Sequence, residues 1–232
     1  QVCFDNIQTA SFSKSPLKPY LLMQRMKKKG LSCAFRLQSN FKPLAKGDFE
    51  LAHSETYVHN VFNGEGNYRS NSLPWSKNLV HSVGYTNASL YEAKKHALLH
   101  PQTVCFAPVS GMHHAQPERG SGFCTFSGQV ISAIKLYEAF GASGAYFDLD
   151  GHFGNSIEDS RWFNPAINLA IPQGSRTGAR HPPTSRSALH RDIHRHTTLS
   201  VRTTRFKTAL RQSPPRRDQG LHRHQLSVRS AH

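Results

Sequence analysis

Cysteine is scarce, and the four present, Cys3, Cys33, Cys105 and Cys124, form no C-x-x-C pair and no metal-finger spacing. That argues against a disulfide framework or a zinc finger as the organising device and makes a reducing compartment the default. No apolar run approaches the roughly 18 to 20 residues of a membrane span, and no charged-then-apolar leader opens the chain. A soluble, cytoplasmic protein with no membrane partner is the expectation. Acidic residues are few as well: 14 Asp and Glu stand against 29 Lys and Arg, for a formal charge of +15 and a pI near 10.1. Such averages suit a nucleic-acid binder whose cations displace counterions from phosphate.

The average conceals two compositions. Residues 173–232 hold 12 Arg and 1 Lys against 2 Asp, a net +11 that leaves only +4 for residues 1–172. Residues 1–172 use 11 Lys and 5 Arg, so the preferred cation changes where the charge does. Beyond that point Glu, Tyr, Trp, Met and Cys are absent and Phe206 is the one aromatic residue. So little apolar surface cannot offset the entropy of ordering, and a disordered basic tail is expected. A nucleic-acid-binding arm is the alternative for this tail, and it rests on the tail alone.

At 232 residues the chain has room for one domain and an appendage. Residues 1–172 alternate short apolar runs with amphipathic ones, the pattern of a mainly parallel sheet covered by helices on both faces. Gln1–Asp5 reads as an opening strand. A helix is predicted over Leu17–Lys29, with Leu21, Leu22 and Met26 on one face and Gly30 as its stop. Another is predicted to start near Thr86–Ser89, where Ser89 and Glu92 have capping-box spacing, and to end before Pro101.

The next stretch reads as a βαβ unit: strand Thr103–Val109, loop Ser110–Thr125, helix Phe126–Phe140, strand Ala145–Asp150. Val130, Ile134 and Tyr137 recur at helical spacing and Gly141 supplies the stop. Parallel strands open their carboxyl ends on one sheet edge, which would bring the two following loops together. The first loop holds Gly111, Met112, His113 and His114, then Gly122, Phe123 and Cys124. The second holds Asp148, Asp150, His152 and Asn155. At period two, Asp148, Asp150 and His152 share a side, so a carboxylate and an imidazole can reach one ion. Oxygen and nitrogen donors of this kind suit Zn²⁺ and water activation, hence a metal hydrolase. Taken alone, a His-His pair is more often a polar surface feature, Asp148 and Asp150 could merely end a strand, Phe123 could be core, and Cys124 reads as packing.

Pro108–Ala115, Ser121–Phe126 and Tyr146–Asn155 resemble, in order and spacing, the tandem-histidine loop, the Gly-Phe-Cys turn and the metal-binding strand end of the histone deacetylase and acetylpolyamine amidohydrolase family. Weaker similarity runs back through Gly84–Leu90, Leu51–Tyr57 and Ser15–Pro19, so the resemblance covers about residues 1–172. It implies a three-layer arginase/deacetylase-like α/β fold, here truncated. It implies Asp150 and His152 as zinc ligands, His114, oriented by Asn155, as general base, and His113, oriented by Asp148, as a neighbour that assists electrostatically or protonates the leaving amine. It also implies a structural K⁺ beside Asp148, and Gly122 and Phe123 as wall of an acyl-chain channel. The substrate implied is an acetylated lysine or acetylated polyamine.

This sequence departs from the pattern in two places. Phe153 stands where a second His is common. The family's third zinc ligand, an Asp on a later strand, and its Tyr donor are not recognisable after Ile171. Asp192 and Asp218 lie in Arg-rich surroundings without a strand pattern. A change of reading frame near Pro172–Arg176 would account for both the loss of pattern and the switch from Lys to Arg. The expectation is therefore a partial zinc-dependent deacetylase domain over 1–172, whose turnover the missing ligand leaves open. A two-manganese ureohydrolase is the nearest enzymatic alternative and a non-catalytic scaffold a further one.

Overall fold

The structure, a computed structural model, describes residues 17–66 and 73–172. The opening strand expected at Gln1–Asp5, the Ser15–Pro16 dipeptide and the basic tail lie outside the described residues. Among the described residues seven α-helices follow in order: α1 Lys18–Lys28, α2 Lys46–Phe49, α3 Glu55–Asn63, α4 Lys77–Leu99, α5 Gly128–Phe140, α6 Ser156–Ser160 and α7 Ala166–Ala170. A 3-10 turn at Leu31–Ala34 follows α1. No described helix is long and apolar enough to cross a membrane.

The mainly parallel sheet expected from the sequence is not seen among the described residues, whose bridges are two isolated ones, Gln116 with Arg119 and Ser121 with Cys124. Thr103–Val109 and Ala145–Asp150 carry no strand ladder. Apolar alternation encodes which sides of a segment differ, whereas a ladder requires a neighbour that the segment itself does not specify. The alternation itself is present. Phe147 and Leu149 are 81% and 83% exposed, while Tyr146 packs on the core and the Asp148 side chain is 14% exposed.

α5 is the centre of the fold, packed against α4, α6 and α7. Its sequence explains this position: Val130, Ile131, Ile134 and Leu136 are buried and no side chain in its first turn is charged. Gly141 takes the left-handed conformation at φ 64° and ends the helix where the sequence predicts. Phe126, two residues before α5, packs at a tilt against Phe49 of α2 with 4.4 Å between ring centroids and meets Tyr57 of α3 edge-on. Each such fully buried side chain contributes about 1.5–3 kcal/mol of transfer free energy, so this aromatic seam dominates the N-terminal half of the core.

α4 begins earlier than its sequence suggests. Ser76 caps it, its hydroxyl accepting from the Leu79 N–H at 3.0 Å, and Thr86–Ser89 lies mid-helix. Gly84 disguises the continuity, but it is there because Pro43 approaches: a β-carbon would lie 3.1 Å from the Pro43 ring. Lys94 of α4 donates to Ser132 Oγ at 2.6 Å and sits 4.1 Å over the Tyr146 ring, tying α4 and α5 to the 145–150 segment. Burial pushes this ammonium down to about 7. α1 forms as expected, yet Leu21 and Leu22 are exposed, and Pro19 is its one fully buried residue.

Candidate metal and acid-base site

The loop 110–127 carries the paired imidazoles, and one buried histidine holds it at Gln116 and at Ser127. His53, immediately before the Ser54 cap of α3, is 1% exposed. Its Nδ1 lies 2.8 Å from the Gln116 carbonyl, and its Nε2 accepts from the Ser127 N–H at 2.8 Å. Because Nε2 accepts, Nδ1 must carry the hydrogen, and the ring is neutral with both nitrogens satisfied. Ser54 N–H to Pro117 O at 2.9 Å and Tyr57 OH to Thr125 O at 2.8 Å complete the frame.

Within this frame the two rings lie side by side, 4.1 Å between centroids. His113 Nδ1 is 2.7 Å from Asp148 Oδ2, with both side chains 14% exposed. His114 Nδ1 is 3.0 Å from Asn155 Oδ1. Asn155 turns its amide nitrogen to the Asp159 carboxylate, one helical turn further on. Two glycines provide clearance. A β-carbon on Gly122, whose φ is +52°, would stand 2.3 Å from the His114 ring, and one on Gly154 would stand 2.5 Å from Asp148 Oδ2 and 3.0 Å from His113 Nδ1. The Ser156 N–H donates to the His113 carbonyl at 2.9 Å, so the second loop is pinned to the backbone of the first.

The second loop turns on its own carboxylates. Asp148 Oδ1 accepts from the Asp150 N–H at 3.0 Å. Asp150 Oδ1 accepts from the His152 N–H at 2.8 Å and lies 2.9 Å from His152 Nδ1. The backbone N–H of His152, then its side chain and the field of His113, hold the Asp150 carboxyl below the usual range against a smaller opposing effect of burial. The His152 ring meets the His114 ring edge-on at 6.1 Å. All six polar residues expected at the site thus fall within one neighbourhood.

By donor chemistry Asp150 and His152 fit two positions of a zinc shell, one oxygen and one nitrogen. Among the described residues no third His, Cys, Asp or Glu joins them in a metal-holding group. Gly122 is exposed beside His114, and Phe123 is half-buried at φ 63°, packed on the core and lining a small cavity with Gly111 and Met112. Cys124 is fully buried, and burial raises its thiol to about 11, which suits packing and not nucleophilic attack. Sequence reasoning missed His53, Gly154 and Asp159. The first two act through backbone contact and clearance, which leave no spacing signal. Asp159 lies four residues after Asn155, a helical interval that a five-residue helix hardly announces.

The histone deacetylase domain family matches residues 13–177. Histone deacetylase 8 of Xenopus laevis is 37% identical over 57 residues, 25% of this chain and 17% of that protein. Acetoin utilization protein AcuC of Bacillus subtilis (strain 168) is 28% identical over 67 residues, 28% of this chain and 17% of that protein. The aligned part of this chain therefore spans about a sixth of the length of these relatives. Since the family's domain matches well over half of its residues, the chain belongs to the histone deacetylase domain family.

Proposed function

We propose that this chain carries the acid-base half of a zinc-dependent deacetylase that hydrolyses N-acetyl amides on lysine or a polyamine to acetate and free amine. The observation that supports it is the convergence of the two loops: paired imidazoles, each with Nδ1 on a fixed acceptor, beside a carboxylate and a third imidazole. An Nδ1–H bonded to its acceptor leaves the opposite ring nitrogen, Nε2, with a free lone pair.

In this reading His114 Nε2 takes the proton from the attacking water, and the Asn155 carbonyl stabilises the Nδ1–H that remains. His114 then passes that proton to the leaving amine nitrogen, while His113, on the Asp148 carboxylate, assists electrostatically. Asp150 and His152 would hold the zinc ion, which supplies Lewis acidity to polarise the acyl carbonyl and acidify water. Asp148 would additionally serve a structural potassium ion. Gly122 and Phe123 would border the acyl stem.

Zinc uptake by the full chain and turnover of a fluorogenic acetyl-lysine substrate test the reading. His114→Ala is expected to lower turnover by about 10²- to 10⁴-fold, the worth of a positioned general base. Asp150→Ala is expected to abolish zinc uptake. A chain that neither binds zinc nor turns over substrate, or whose turnover is indifferent to both substitutions, would sink it.

A further inference from the structure

Asn155 is ambidextrous: an amide can offer a carbonyl oxygen to His114 or, flipped, an NH₂ group. The two orientations have opposite consequences for the ring. A carbonyl at Nδ1 demands Nδ1–H and leaves Nε2 basic, whereas an NH₂ at Nδ1 demands a bare Nδ1, moves the hydrogen to Nε2 and removes the base. Something must decide between them, and Asn155 alone does not.

The Asp159 carboxylate faces the far side of that amide. An ionised carboxylate only accepts, so it admits the Asn155 nitrogen and turns away the oxygen. The oxygen is thereby directed to His114 Nδ1, at 3.0 Å. The backbone holds the pair in place, the Asp159 N–H donating to the Asn155 carbonyl at 2.9 Å, and Ser156 at the start of the same turn is tied to the His113 carbonyl. We propose that Asp159 is a positioning residue that sets the tautomer of His114 through the orientation of the Asn155 amide. The inference rests on reading His114 as the base. It assigns to a residue that touches His114 only through Asn155 the choice of which nitrogen does the chemistry.

The test is the ¹⁵N spectrum of the histidine side chains in the full chain, which separates Nδ1–H from Nε2–H rings without zinc or turnover. Wild type is expected to show His114 as Nδ1–H. In D159A the amide is free to turn, and the Nε2–H form of His114 is expected to become the major one, while the buried His53 stays Nδ1–H as internal reference for an intact fold. In N155D/D159A the new carboxylate can only accept, so Nδ1–H is expected to return. An unchanged His114 tautomer in D159A, or no restoration in the double variant, would overturn the proposal. Should D159A disturb His53 as well, D159K is the deciding variant: an ammonium there attracts the Asn155 oxygen and is expected to drive His114 to Nε2–H, and retention of Nδ1–H would overturn the proposal. Because tautomer and catalysis are read separately, an inactive chain with this tautomer behaviour would defeat the deacetylase reading and leave the positioning role intact.

Discussion

His53 is held neutral by its surroundings: burial pushes its pKa down to about 4 against smaller opposing effects of its backbone partners at Gln116 and Pro117. The unfolded chain takes up this proton near 6.5, the folded chain only near 4. Stability is therefore complete above about pH 6.5 and declines as the pH falls toward 4, by up to about 3 kcal/mol. Urea midpoints of the wild type should fall on acidification across that window, more steeply than those of His53→Gln, which should be less stable at pH 7 but flatter. Parallel slopes for the two would show that the ring is not responsible. The residue also shows what the sequence could not display. His113, His114, Asp148, Asp150, His152 and Asn155 are legible because side chains of complementary chemistry recur at short, ordered spacing. His53 works by bonding a carbonyl and an N–H 63 and 74 residues away, and backbone groups have no letter of their own.

Among the elements, α5 was legible because a clean apolar period meets a glycine stop, and α4 was misread because polar residues interrupt its period. Ser82 and Asn87 are buried on its packed face, Asn87 donating to the Val83 carbonyl at 2.7 Å, so the face is continuous in space though mixed in chemistry. The two candidate starts make different predictions. Ser76→Ala should cost about 1 kcal/mol, the usual loss of a cap. Ser89→Ala, mid-helix, should be neutral within about 0.5 kcal/mol or slightly stabilising, since Ala is the better helix former. Chemical denaturation of the two variants decides, and a larger loss at Ser89 would restore the later start.

For the molecule as a whole, the helices were largely readable, and so was the set of side chains that the two loops bring together, whereas the sheet is not seen among the described residues, because pairing is a property of neighbours. Val104 is 97% exposed and, like Phe147 and Leu149, stands on an extended segment outside any ladder among the described residues. Hydrogen exchange should accordingly find the amides of Val104, Phe147 and Leu149 at least about 100-fold faster than those of Ile131 and Ile134 inside α5. Equal protection would mean that both segments are paired. The grip of His53 on the 110–127 loop has a consequence for the order of assembly. Synthesis proceeds from the amino terminus, so His53 and its neighbours Phe49 and Tyr57 leave the ribosome before the loop does, whereas Phe126, which packs on all three, follows the paired histidines. The paired histidines therefore emerge while the surface that will hold them still lacks Phe126 and α5, and the most chemically demanding turn of the chain is cast together with its mould.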